Sequence, residues 1–203
     1  MGQRASGPPP SLQFAGRYPA RTSALVLLSS APYTPLGADQ QKLPVPAWVY
    51  AMLFSSNLPY WVIQKVAPGR LDTIFDVTPT ARAALTAEDE AFVAAMVDAF
   101  QPVSQRVDGL RNEGAAIDPK AHYALEEIVA PTLNIHARDD GINPFAFGEY
   151  TAEHIRGAEL VPLTSGGHLL LGHQLEVRAR VRSFLRMHGS GVQHGAESDR
   201  SAR

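Results

Sequence analysis

At 203 residues, with 45% hydrophobic and 19% charged positions, the chain is long enough for one domain with a real core. Its formal charge of −2 and pI near 6.4 carry no footprint for nucleic acid or an anionic membrane, and zero cysteines exclude disulfides, thiol catalysis and thiolate metal sites. No apolar stretch beside Arg4 resembles a secretion signal and no run reaches the roughly 18 apolar residues of a membrane span, so a cytoplasmic residence is expected.

In chain order, the proline cluster Pro8 to Pro10 is followed by SLQFAGRY (Ser11 to Tyr18), where Leu12 and Ala15 sit three apart as on one helix face and Pro19 stops the helix. SALVLLSS (Ser23 to Ser30) is a continuous apolar run between small polar residues, which suits a parallel strand buried on both faces. From Ala31 to about Ile128, prolines at 32, 35, 44, 46, 59, 68, 79, 102 and 119 cut the chain into short pieces with helical patterns between them. The clearest helix starts at Thr86, an N-cap with Asp89 three residues on, and carries Phe92, Met96 and Phe100 at a spacing of four. Trp48, Tyr50, Phe54, Tyr60, Trp61 and Phe75 crowd the first half of this region, either as helix-packing aromatics or as the lining of an apolar substrate pocket. A second strand is expected at Thr132 to His136, a helix at Pro144 to Ile155, and a third strand at Leu160 to Leu163. The last helix runs from about Gln174 to Met187, with Val177, Val181, Phe184 and Leu185 on one face, and residues 189–203 read as a disordered tail.

The chemistry is carried by two loops, PTLNIHARDDGINP (Pro131 to Pro144) and the segment to SGGHLLLGH (Ser165 to His173). Asp140 follows the second strand and His168 the third. An acid and a histidine just beyond successive strands are how an open α/β sheet presents a catalytic pair, since ligands sit outside the carboxyl ends of parallel strands. Taken singly, Asp140 reads as a cap for the helix beginning near Pro144, a task Asp139 shares, and His168 as a polar loop residue. Gly166 and Gly167 let the second loop turn closely and leave the His168 ring at the strand end. His136, His168 and His173 do not make a metal set, because a spacing of five does not put His168 and His173 on one helical face and His136 falls within a strand.

Strand, long helical insertion, strand, helix, strand and helix, with PTLNIHARDDGINPF and SGGHLLLGH in this order about 28 residues apart, resemble the C-terminal portion of the α/β-hydrolase family. The resemblance covers Ser11 to Leu185. It implies a partial α/β-hydrolase fold over residues 11–188, a short parallel sheet with flanking helices and a helical cap insertion at about 33–128. It also implies Asp140 as triad acid, His168 as general base, no cofactor and a small apolar ester-like substrate. A G-x-S-x-G turn carries the family's nucleophile, ahead of a helix resembling SLQFAGRYP. Here the family register falls on Ala5, while Ser6 lies one place out, flanked by Arg4 and Pro8 where the motif has glycines. Ser6 is therefore a doubtful nucleophile, and the expectation is an N-terminally truncated, catalytically impaired hydrolase. The alternative is a non-catalytic remnant or interaction protein. With no earlier strands, the apolar strand Ser23 to Ser30 is expected to leave its side chains uncovered and its edge open to self-association.

Overall fold

The structure, a computed structural model, describes residues 10–32, 47–106 and 124–189, so Ala5, Ser6 and nearly all of the expected tail lie outside the described residues. The three expected strands form: β1 (Leu25–Leu28), β2 (Thr132–Ala137) and β3 (Glu159–Leu163) make a parallel sheet in the order β1-β2-β3. The register pairs Leu25 with Thr132 and Leu27 with Asn134, then Ile135 with Val161 and Ala137 with Leu163. All six residues of the central strand are buried, as a strand covered on both faces requires.

Around the sheet and along the chain run α1 (Pro10–Arg17), α2 (Ala47–Leu53), α3 (Asn57–Val66), α4 (Pro79–Ala84), α5 (Ala87–Ala99), α6 (Ala146–His154) and α7 (Gln174–His188). On one face, Leu25 and Leu27 pack with Leu12 and Ala15 of α1 and with Leu125, Ile128 and Ile155. On the other, Leu133, Ile135 and Leu163 pack with Val177 and Phe184 of α7. Leu185 turns away and is exposed, so the apolar stripe of α7 is narrower than its sequence suggested. Gly148 lets α6 approach β2 closely, since a Cβ there would come 3.1 Å from the His136 side chain.

The cover over β1 corrects one expectation. Leu25 and Leu27 are buried, Val26 is partly buried, and only Leu28 is exposed. At about 1.5 to 3 kcal/mol per buried leucine, α1 and the turn near Leu125 restore much of the stabilisation that an uncovered strand would lack. What the described residues leave open is the hydrogen-bonding edge of β1, not its faces.

Residues 47–106 build a core of their own, in which Phe54, Tyr60, Leu71, Phe75, Val93 and Val97 are buried. The buried seam of α5 is Asp89, Val93 and Val97, while Phe92 is exposed, so the Phe92, Met96 and Phe100 stripe lies beside the core-facing line. Thr86 and Asp89 do form a capping box. Trp48 and Trp61 are exposed and Phe54, Tyr60 and Phe75 are buried, so the aromatic cluster divides between surface and core. Tyr60 donates its hydroxyl to the Val97 carbonyl at 2.9 Å, and burial with help from nearby Asp98 pushes its phenol up to about 12. Leu171, three residues past His168, is part of this same core and ties the histidine loop to the helical segment.

Candidate active site

The site grows from the carboxyl ends of β2 and β3. Beyond Ala137 the chain turns sharply, and Asp140 is held with its side chain buried. One oxygen, Oδ1, accepts backbone N–H groups from Ile142 at 2.9 Å and Asn143 at 2.7 Å. These two bonds close the loop ahead of α6 but do not cap that helix, whose N-cap residue Phe145 makes no side-chain cap hydrogen bond, and they leave the second oxygen free for another task. His168 Nδ1 lies 3.1 Å from Asp140 Oδ2, with the histidine side chain 28% exposed and the carboxylate at 0%. The two residues singled out from the sequence are thus brought together.

Because a carboxylate oxygen is an acceptor, Nδ1 is the protonated nitrogen and the Nε2 lone pair is left for a substrate or a nucleophile. The glycines set this placement. Gly166 and Gly167 have φ of +122° and +57°, and a Cβ on either would strike backbone, Leu171 O at 2.9 Å and Asp76 O at 2.7 Å respectively.

Asp139 does not cap α6 either. It reaches across to the histidine loop, accepting from Gly167 N at 2.9 Å and Gly166 N at 3.3 Å. Asp140 thus faces the ring while Asp139 holds the backbone beneath it, which assigns different work to adjacent acids.

Two participants were not legible in the sequence. His136, wholly buried in β2, places Nε2 2.8 Å from the Asn143 carbonyl and 3.3 Å from Asp140 Oδ2. Both neighbours are acceptors, so Nε2 carries the proton, and buried Nδ1, which has no hydrogen-bond partner among the described residues, is bare. Asp140 Oδ2 consequently receives the His168 ring N–H and a longer share of the His136 N–H that goes chiefly to the Asn143 carbonyl, while Oδ1 receives two backbone N–H groups. Burial alone would push its carboxyl up, but the hydrogen bonds from His136 and His168 outweigh that and hold it at about 2. The second participant is Asp76, whose Oδ2 accepts from Gly141 N at 2.9 Å and from His168 N at 2.8 Å.

At the end of β1, Asn143 Nδ2 donates to Ser29 O at 2.7 Å, which ties the acid loop to the first strand. Ser29 has φ of 45°, and the hydroxyls of Ser29 and Ser30 are buried without a hydrogen-bond partner among the described residues. Among those residues no group of three or more His, Asp or Glu side chains is disposed to hold a metal ion, and no helix is long and apolar enough to cross a membrane.

No family model matches the chain. It is similar to an uncharacterized hydrolase of Bacillus subtilis, YcgS, with 28% identity over 182 residues that make up 82% of this chain and 60% of the relative. Among solved structures it resembles an α/β hydrolase fold protein from Nakamurella multipartita, with 23% identity and a TM-score of 0.55 over 90% of this chain and 67% of that one. It also resembles MGS-M2, an α/β hydrolase enzyme from a Medee basin deep-sea metagenome library, with 18% identity and a TM-score of 0.52 over 88% of this chain and 60% of that one. The chain spans 60% of the curated relative it matches, and about as much of the solved structures. A short parallel sheet with helices on both faces, an acid loop after its central strand and a histidine loop after the next show that this chain has a partial α/β-hydrolase fold.

Proposed function

We propose that the chain belongs to a hydrolase of the serine type, in which Asp140 and His168 are the acid and the general base. The observation that carries this reading is the 3.1 Å contact between His168 Nδ1 and Asp140 Oδ2 at the carboxyl ends of neighbouring parallel strands. In the reaction, His168 Nε2 takes the proton of a serine hydroxyl as the oxygen attacks an acyl carbon. Asp140 keeps the ring in the required tautomer and stabilises the imidazolium. The proton then passes from Nε2 to the leaving alkoxide, and the same base activates the water that releases the acid. The substrate class is a small apolar ester, the helical segment between β1 and β2 serves as its cap, no cofactor takes part, and the residence is cytoplasmic.

In this reading the nucleophile is a serine on a G-x-S-x-G turn with backbone oxyanion donors beside it. Ser6, with the family register at Ala5, is a poor substitute for it. The test begins with the DNA upstream of Met1, translated in three frames. A chain extended through an upstream G-x-S-x-G turn is expected to be labelled by a fluorophosphonate, and His168→Ala is expected to abolish that labelling. An upstream region that encodes no such turn, or labelling indifferent to His168, would defeat the reading.

The exposed Leu28 and an edge of β1 that no strand pairs among the described residues favour a second reading, an interaction protein whose sheet is extended by another copy of this chain. Size-exclusion chromatography with light scattering is expected to show concentration-dependent self-association that Leu28→Lys weakens. A monodisperse monomer at all concentrations would remove this second reading.

A further inference from the structure

Asp76 lies in the helical segment, 65 residues before Gly141 and 92 before His168. It is 7% exposed and closes the 3-10 turn Asp72–Phe75 in the left-handed region, with φ of 60°. That conformation is strained for a non-glycine residue, and a buried carboxylate beside Asp140 adds electrostatic cost. Asp76 is indeed raised above the ordinary aspartate value, first by burial and also by Asp140. For closing a turn, a glycine would serve at lower cost.

What the carboxylate does instead is hold two loops with one atom. Oδ2 accepts at once from the backbone of the residue after Asp140 and from the backbone of His168 itself. The contact is tight on both sides. A Cβ on Gly141 would come 2.5 Å from Asp76 Oδ1, and one on Gly167 would come 2.8 Å from Oδ2. Neighbouring carboxylates complete the hold on the histidine loop: Asp139 takes Gly166 N and Gly167 N, and Asp89 of α5 takes Gly172 N at 3.1 Å. Of these groups, Asp76 alone binds the backbone of both catalytic loops.

We propose that Asp76 is a positioning residue that sets the distance between Asp140 and His168 and makes the alignment of the pair depend on the helical segment. The proposal rests on reading Asp140 and His168 as acid and base, but its test measures their placement without any turnover. In the full chain, the His168 ring nitrogens and the amide protons of Gly141 and His168 are followed by NMR. The wild type is expected to show the Nδ1-protonated tautomer, and its absence there would count against the acid and base reading itself. Asp76→Ala is expected to speed exchange of the Gly141 and His168 amides about tenfold or more, as loss of a charge-assisted hydrogen bond implies, and to mix the ring tautomers. Asp76→Asn keeps one oxygen able to accept both N–H groups and is expected to restore slow exchange and the single tautomer. Should Asp76→Ala fail to fold, Gly141→Ala reads the same link, because its methyl displaces Asp76 without removing it. An unchanged His168 tautomer and unchanged amide exchange in a folded Asp76→Ala chain, or in Gly141→Ala in its place, would overturn the proposal.

Discussion

Short p-nitrophenyl esters are expected to hydrolyse in the presence of the 203-residue chain no faster than in buffer. His168 Nδ1 lies 3.1 Å from Asp140 Oδ2, but on the proposed reading such a pair has nothing to activate without an aligned hydroxyl. Ser6 is one residue from the family register, and Pro8 fixes its own φ and removes a backbone donor where a strained turn needs a glycine. Loss of a serine nucleophile costs on the order of 10⁶ in kcat, and loss of one oxyanion donor a further 10² to 10³. Together these exceed the acceleration of a modest esterase. The decisive comparison is the initial rate with and without Ser6→Ala. Turnover well above buffer that Ser6→Ala abolishes would make Ser6 the working nucleophile.

Asp140→Ala is expected to lower the unfolding free energy by about 3 to 5 kcal/mol, measured by urea denaturation at neutral pH. The loss is large because Ile142 N, Asn143 N, His136 Nε2 and His168 Nδ1 all point at this carboxylate, and alanine strands buried donors among them. Asp140→Asn keeps the shape and one acceptor and is expected to cost less, about 1 to 3 kcal/mol. Its amide N–H₂ cannot accept from His168 Nδ1, so the ring is expected to move its proton to Nε2, a shift visible in its ¹⁵N spectrum. The acid side of the pH profile tests the same residue. Asp140 is depressed from 3.8 to about 2, so the native state binds fewer protons at this site than the unfolded chain. Its contribution is present above the unfolded value and is lost as pH falls from about 4 through about 2, a change of about 2 kcal/mol. Asp76 is raised, so its own contribution has the opposite sign and grows as pH falls. The difference between wild type and Asp140→Ala is therefore expected to shrink across that window, and a constant difference would refute the assignment.

Both loops of the pair were legible because each is written locally. The runs before Asp140 and His168 are short and partly apolar, the paired glycines mark a close turn, and successive βα units of a parallel sheet set their ends side by side. The seam of α5 was not so plain. Phe92 and Val93 are adjacent, and only packing against the core of residues 47–106 selects Val93 and leaves Phe92 exposed. His136 read as one more member of a buried strand, because its second role depends on Asn143 and Asp140 folding back over it. Asp76 had no local signal at all.

By itself the sequence determined the class of the fold, the order of its strands and helices, and the two residues that meet at the sheet's end. The order of elements follows from hydrophobic runs, glycines and proline breaks within a few residues of one another, and the fold class from the family resemblance of the two loops. Tertiary structure alone decided how Asp140 is charged, which acid holds which loop, and how β1 is covered. Those outcomes depend on contacts such as Asp76 with His168 and Leu12 with Leu25, where burial and hydrogen-bond geometry arise only when distant segments pack.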